Sequence, residues 1–471
     1  MNRNIKKSQI KRNVIISLLA QMIALLVSFI LNLIVPKFID EYQYSYWQTY
    51  ILYVGYVGIL HFGLLDGIVL RYAQYDYEDL DKKRIRSQFQ VLLIGNVFMS
   101  GLTIGASIFL FGQVFQAVAV FVAIGIVTKN VFNYTSYTFQ ITNRIDKYVI
   151  ITIAQRIFFG CFVLILLIVG VKDFYWFCIA DLVGDVFGTF LGSLFNRGMY
   201  FGPTIKIKEV VQETWANINT GILLLVANWS SMLLLGSAKM IVQWKWDTLV
   251  FGKVSFAFSV SSLFLVFINA ISVVLFPSLK RMNQEELPDL YKKIRNILSP
   301  TLFAAMVIYF PGSWILQKWL PAYRVSLTYL GILLPIIVYT SKVSLLTNNY
   351  LKTYRQEKVM LMVNLISIVV ALLLFLACAY LFENLTALLI CIVFSIMLRS
   401  ILSEIVIMKI IQRKFFIDFI IEMIMTVCFI CSARLFNLWW GWLLYVIVLL
   451  IYLIYYRKDI LRILRKKCKN I

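Results

Sequence analysis

Charge is what this sequence has least of. Only 14% of its 471 residues are Asp, Glu, Lys or Arg, against about 25% in an ordinary soluble domain, which excludes one large water-soluble core. It has a single histidine, His61, too little for a histidine-based metal centre. The seven cysteines carry no zinc-type spacing: Cys428 and Cys431 share an apolar run, and Cys468 lies in a basic tail. They read as reduced and structural, with no metal or cofactor expected. No GxxxxGK[ST] loop occurs, so no P-loop hydrolyses ATP here. Short alternating segments of the outer-membrane barrel kind are missing too.

What is present is apolar length. Hydrophobic residues make up 61% of the chain, in runs of roughly 18 to 25, enough at ~1.5 Å per residue to cross about 30 Å of hydrocarbon. The expectation is an all-α polytopic membrane protein with about 14 transmembrane helices. The predicted spans are 13–36, 44–68, 88–111, 114–138, 148–170, 174–196, 214–236, 249–276, 295–316, 325–348, 359–381, 385–408, 417–435 and 438–456. The basic start "MNRNIKKSQIKRN" precedes a run longer than a signal-peptide core and without an A-x-A-type site, so it reads as a retained first span.

Lysine and arginine set the orientation. Most of the 45 basic residues fall in the N-tail, 71–87, 144–147, 197–208, 280–295, 352–358, 409–414 and the C-tail. The positive-inside rule then places those segments and both termini in the cytoplasm. The net charge of +22 is dispersed over short loops, which suits anionic membrane lipids and not nucleic acid.

The polar island "ITNRIDKY" (141–148) returns as "KTYRQEKV" (352–359): Thr142, Arg144 and Lys147 match Thr353, Arg355 and Lys358, an offset of 353 − 142 = 211. "DLDKKRIRS" from Asp79 and "DLYKKIRNI" from Asp289 match at 289 − 79 = 210. Spans one to six therefore read as repeated in spans seven to twelve. Six crossings bring the second copy in with the same sense, a parallel repeat. The implied layout is an N-terminal lobe at 1–196, a cytoplasmic linker at 197–213 with Gly198, Gly202 and Pro203 as breakers, a C-terminal lobe at 214–408, and an appended pair of spans with a basic tail at 409–471. Two six-helix lobes around a central cavity form a transporter plan.

The basic tail and first span, "YQYSYWQTYI" opening span two, "FGLLDGIVLRYAQ" closing it, and "FGKVSFAFSVSSLFLVFINAISVVLFPSLKR" in span eight resemble the polysaccharide flippases of the multidrug/oligosaccharidyl-lipid/polysaccharide exporter superfamily. The resemblance covers spans one to twelve. It implies a flippase, not an enzyme, that moves an undecaprenyl-diphosphate-linked oligosaccharide from the inner to the outer leaflet of the bacterial cytoplasmic membrane by alternating access. A polymerase and other polysaccharide assembly proteins are the partners it implies, for capsule, O-antigen or another surface polymer. Within the superfamily, a cation-coupled drug exporter and a peptidoglycan lipid-precursor flippase are the alternatives. A glycosyltransferase or polymerase would need catalytic carboxylates outside the membrane, where acids are few.

Charges at bilayer depth cost ~2.5 kcal/mol or more, so each asks for a partner or a wet cavity. Lys129 in span four and Lys342 in span ten occupy near-equivalent places and are the first candidates for a lipid diphosphate, with Arg156 and Lys253 beside them; the alternative for each is snorkelling. Asp181 and Asp185 in span six are four apart and share a helix face. Arg399 is the nearest equivalent of Asp185 in the other lobe, which leaves a cross-cavity pair, an intralobe pair or ion coupling open. Asp66 and Arg71 form either a cytoplasmic gate or an ordinary helix end. His61 reads as a packing residue before a proton relay. Glu404 looks ordinary. Tyr53, Tyr56, Tyr134 and Tyr137 with Asn133 are candidate sugar contacts, or else core and interface aromatics.

Overall fold

The computed structural model describes residues 22–73, 75–279 and 282–468, with side chains for all of these except 231, 264, 266, 267, 269–278 and 458–468. The basic start, residues 13–21 of the first predicted span and the end of the C-tail (469–471) lie outside the described residues. Among those described, every regular element is a helix, as expected for a chain that must satisfy its backbone without water.

A helix or helix pair stands at each of the fourteen predicted positions. Among the described residues nine helices are long and apolar enough to span, from Lys82–Leu110 to Leu438–Arg457. Three bent pairs raise the number to 12: Glu41–His61 with Leu64–Tyr72, Ile207–Ser230 with Met232–Lys245, and Pro321–Leu333 with Ile336–Thr353. Two shorter apolar helices, Met22–Phe38 and Thr248–Leu263, lie at predicted spans one and eight. The bends are what hydropathy does not show. Span two breaks by 55° at Phe62 (φ 50°) and Gly63 (φ 85°), both left-handed, a conformation that costs glycine little. Span ten bends by 51° next to Pro335, where proline removes a backbone donor. Part of the expected linker is helical, because the helix of span seven starts at Ile207.

Local chemistry explains the ends. The carboxylate of Asp81 accepts from the backbone N–H of Lys83 and Arg84, and the Asn384 carbonyl oxygen accepts from Ala387 N, satisfying donors that the first turn leaves open. The two matched islands are turns of one design. Asn143 (φ 54°) and Arg355 (φ 56°) are left-handed. Arg144 N donates to Phe139 O at 2.9 Å, and Gln356 N to Leu351 O at 2.8 Å. Each is the six-to-one bond of a Schellman ending.

The chain divides into two compact units at Met232 and Leu233. In the first, spans three to six pack as neighbours, and Leu65, Ile68, Tyr72, Ile85, Tyr134 and Met199 form a core cluster. Its tightest contact is bare backbone. A Cβ on Gly67 would lie 1.9 Å from Asn217 O, and one on Gly221 would lie 2.1 Å from Gly63 O. The lower half of span two is therefore pressed directly on the start of span seven. In the second unit, Tyr291, Leu346, Tyr350, Ile407, Phe415 and Phe419 share a cluster that includes the start of span thirteen.

Gly67→Ala and Gly221→Ala are expected to lower the unfolding midpoint in detergent, by overpacking worth ~1–3 kcal/mol or more. Gly105→Ala, with nothing within 4 Å of its Cβ, is the control expected to leave the midpoint unchanged or raise it slightly.

Candidate functional site

The N-terminal unit assembles three sequence candidates into one group. Asp181 and Asp185 lie on the same face of Phe174–Phe195, and Lys129 Nζ sits 2.8 Å from Asp181 Oδ2 and 2.8 Å from Asp185 Oδ2. Tyr50 donates its hydroxyl to Asp181 Oδ2 at 2.7 Å, and Gln155 Nε2 donates to Asp185 Oδ1 at 3.1 Å. Gly188 makes the approach possible: a Cβ there would lie 2.6 Å from the Phe132 ring and 3.0 Å from Gln155 Cβ. The lysine side chain keeps 22% exposure, against 9% and 3% for the two carboxylates.

The C-terminal unit treats its lysine differently. Lys342, 1% exposed, donates to Glu404 Oε2 and Glu422 Oε2, both at 2.6 Å. Arg295, fully buried, donates through Nε to Glu404 Oε1 at 2.9 Å and through Nη2 to Glu422 Oε1 at 3.2 Å. Its Nη1 lies 3.1 Å from Asp418 Oδ2. Tyr291 donates to Glu404 Oε1 at 3.1 Å, and Tyr456 donates to Asp418. Lys342 also opens a π-helical turn, Lys342–Thr347, an irregularity common at functional sites.

These contacts correct several expectations. Lys129 and Lys342 are each neutralised by two carboxylates within their own unit, so neither is an open cation awaiting an anion. Asp185 finds its ion partner in Lys129, and Arg399 donates Nε to Asn364 Oδ1 at 2.8 Å. Glu404 is not ordinary; it is fully buried and central. Asp66 and Arg71 have separate partners: Arg71 bonds Glu213 and Asn217, while Asp66 lies beside His61. Tyr134 is a core residue whose hydroxyl donates to Ile85 O and Met199 O at 3.3 and 3.0 Å. Tyr56 packs on Trp229 and donates to Met232 O.

Arg156 is exposed and forms no ion pair among the described residues. Lys253, Tyr53, Asn133 and Tyr137 are half-buried. Among the described residues no three His, Cys, Asp or Glu side chains converge as a metal site would require.

Sequence reasoning missed Glu213, Arg295 and Glu422. Asp418 and Glu422 lie four apart in an apolar span, a pattern that on its own demanded counter-charges. Their removal defines the first test of this site. Glu422→Ala leaves Lys342 and Arg295 short of an acid and is expected to cost ~3–5 kcal/mol of unfolding free energy, measured by denaturant titration in detergent. A chain ending at Gln412 is expected not to accumulate as a folded protein.

No family model matches the sequence, and no curated protein matches it. Solved structures do resemble it. Lipid II flippase MurJ in an inward closed conformation superposes with a TM-score of 0.68 at 12% identity, covering 95% of this chain and 100% of that one. A multidrug resistance MATE family transporter in an inward-facing conformation gives 0.63 at 13% identity, covering 85% and 98%. A transporter from Pyrococcus furiosus, described as having a binding pocket of reversed polarity, gives 0.52 at 12%, covering 85% and 96%. The chain is an all-α polytopic membrane protein with the fold of the multidrug/oligosaccharidyl-lipid/polysaccharide exporter superfamily.

Proposed function

We propose that the protein is a flippase that carries an undecaprenyl-diphosphate-linked oligosaccharide from the cytoplasmic to the outer leaflet for surface polysaccharide assembly. The observation that carries this reading is the extent of the likeness to a lipid flippase. It takes in 95% of this chain and all of the other, whereas the drug-transporter structures cover 85%. The basic candidates Arg156 and Lys253 support a diphosphate cargo, since a diphosphate needs cationic contacts. In this reading Arg156 and Lys253 meet the headgroup. Lys129 stands behind them, partly exposed but held by its two carboxylates, and Lys342 acts as internal counter-charge. Tyr53, Tyr137 and Asn133 are the remaining sugar contacts. In this reading the protein sits in the cytoplasmic membrane with both termini inside, the orientation that the basic loops favour. Polymerase and the other assembly proteins are its functional neighbours.

A second reading, a cation-coupled exporter, draws on the N-terminal triad, where two carboxylates outnumber one lysine. A deletion strain distinguishes the readings. The flippase reading expects a diphosphate-linked repeat unit of several sugars to accumulate on the cytoplasmic leaflet. Accumulation of the peptidoglycan precursor alone would replace it with the lipid-precursor alternative, and loss of drug resistance without any lipid intermediate would favour the exporter. In reconstituted vesicles Arg156→Glu is expected to slow translocation of the lipid about tenfold or more, the loss of one charge-assisted contact. Unchanged rates would remove Arg156 from the path.

A further inference from the structure

The break in span two brings two titratable side chains together that are five residues apart. His61 closes the upper segment and Asp66 lies in the first turn of the lower one. They are 7% and 6% exposed, with His61 Nε2 3.9 Å from Asp66 Oδ2. The backbone N–H of Gly63 donates to His61 Nδ1 at 3.2 Å. Nδ1 is thus an acceptor, and the ring proton sits on Nε2, facing the carboxyl group. The gap exceeds hydrogen-bond reach, and among the described residues Asp66 Oδ2 accepts no hydrogen bond.

The surroundings supply no compensating cation. Among the described residues neither lysine nor arginine pairs with Asp66. Arg71, further down the same helix, is engaged by Glu213 and Asn217, and Glu213 is also held by Tyr72. On the span-seven side, backbone lies against Gly67. On span four, Tyr137 is the titratable neighbour that interacts electrostatically with Asp66. A carboxylate left so, buried and unpaired at membrane depth, is costly, and one added proton removes that charge.

We propose that the His61–Asp66 pair at the break of span two is a proton-binding site, with Asp66 Oδ2 as the atom that takes and releases the proton. The proton comes from water, converts the carboxylate to a carboxyl group, and returns to water on release. Release is favoured when a change in the bend closes the gap, because the Nε2–H of His61 then donates to the carboxylate. The occupancy of the site and the bend of span two are therefore linked. The site stands on the geometry of span two alone and holds whatever the cargo.

Infrared spectroscopy of the full-length protein in lipid nanodiscs tests this through the carbonyl stretch of a protonated carboxyl group. The wild type is expected to show such a band near neutral pH that Asp66→Asn removes. His61→Leu, which deletes the donor, is expected to raise the midpoint at which the band titrates by about one pH unit or more; His61→Gln, with an amide donor, should bring it back towards wild type. A band unchanged in Asp66→Asn overturns the proposal, and so does a midpoint indifferent to both His61 variants. A band abolished by sodium chloride but not by potassium chloride would assign the site to a metal cation instead. Where Asp66→Asn does not accumulate, the His61 series decides. No translocation is measured, so failure here leaves the flippase reading standing, and failure of that reading leaves this site untouched.

Discussion

A charge in hydrocarbon has to be answered nearby, and much of the interior follows from that. Lys129 is answered by two acids of one helix, Asp181 and Asp185. Lys342, its near-equivalent in the repeat, is answered by Glu404 and Glu422 from two different spans. Each solution then constrains the backbone around it. In the first unit Gly188 keeps spans four, five and six close enough for Gln155 and Lys129 to reach the acids. In the second, a π-helical turn begins at the lysine itself, and Arg295 is drawn in as a second cation between three carboxylates. Buried ion pairs seldom add net stability over a well-packed apolar core. Their effect is selective: once the charges are present, few helix arrangements can accommodate them.

The same rule explains the terminal pair of spans. By repeat alone they look like an addition to a finished twelve-span body. Glu422 and Asp418 nevertheless lie within the charge cluster of the second unit, and Tyr456 holds Asp418 from span fourteen. Spans nine and ten therefore depend on residues that follow them by eighty positions or more in the chain, since 422 − 342 = 80. A likeness that takes in 95% of this chain and the whole of a lipid flippase fits a body in which the last helices are integral.

Much of the fold was legible because hydropathy reports it directly. Each apolar run became a helix, and the paired islands at 141–148 and 352–359 became turns of matching geometry. The site was legible only in part. Asp181 and Asp185 announced themselves by spacing, but that Lys129 reaches them depends on which faces of three helices meet, and residue types do not carry that. Arg295 and Glu404 lie near the inner ends of their spans, where depth alone made them look ordinary. Tyr134 shows how packing adds what residue types leave out: a tyrosine beside polar neighbours suggested a ligand, and its hydroxyl lies against two backbone carbonyls of the core. The break at Phe62 and Gly63 was written in the sequence only as one glycine among 22.

Where Gly63 and Gly67 meet Gly221, main chain rests on main chain with no side chain between. Elsewhere in a helical bundle, interdigitated side chains separate the backbones of neighbouring helices. Bare peptide planes have no such layer. The lower part of span two and the first turns of span seven are geared together. A rotation of one is transmitted to the other without slip, and they part only by lifting away as rigid bodies.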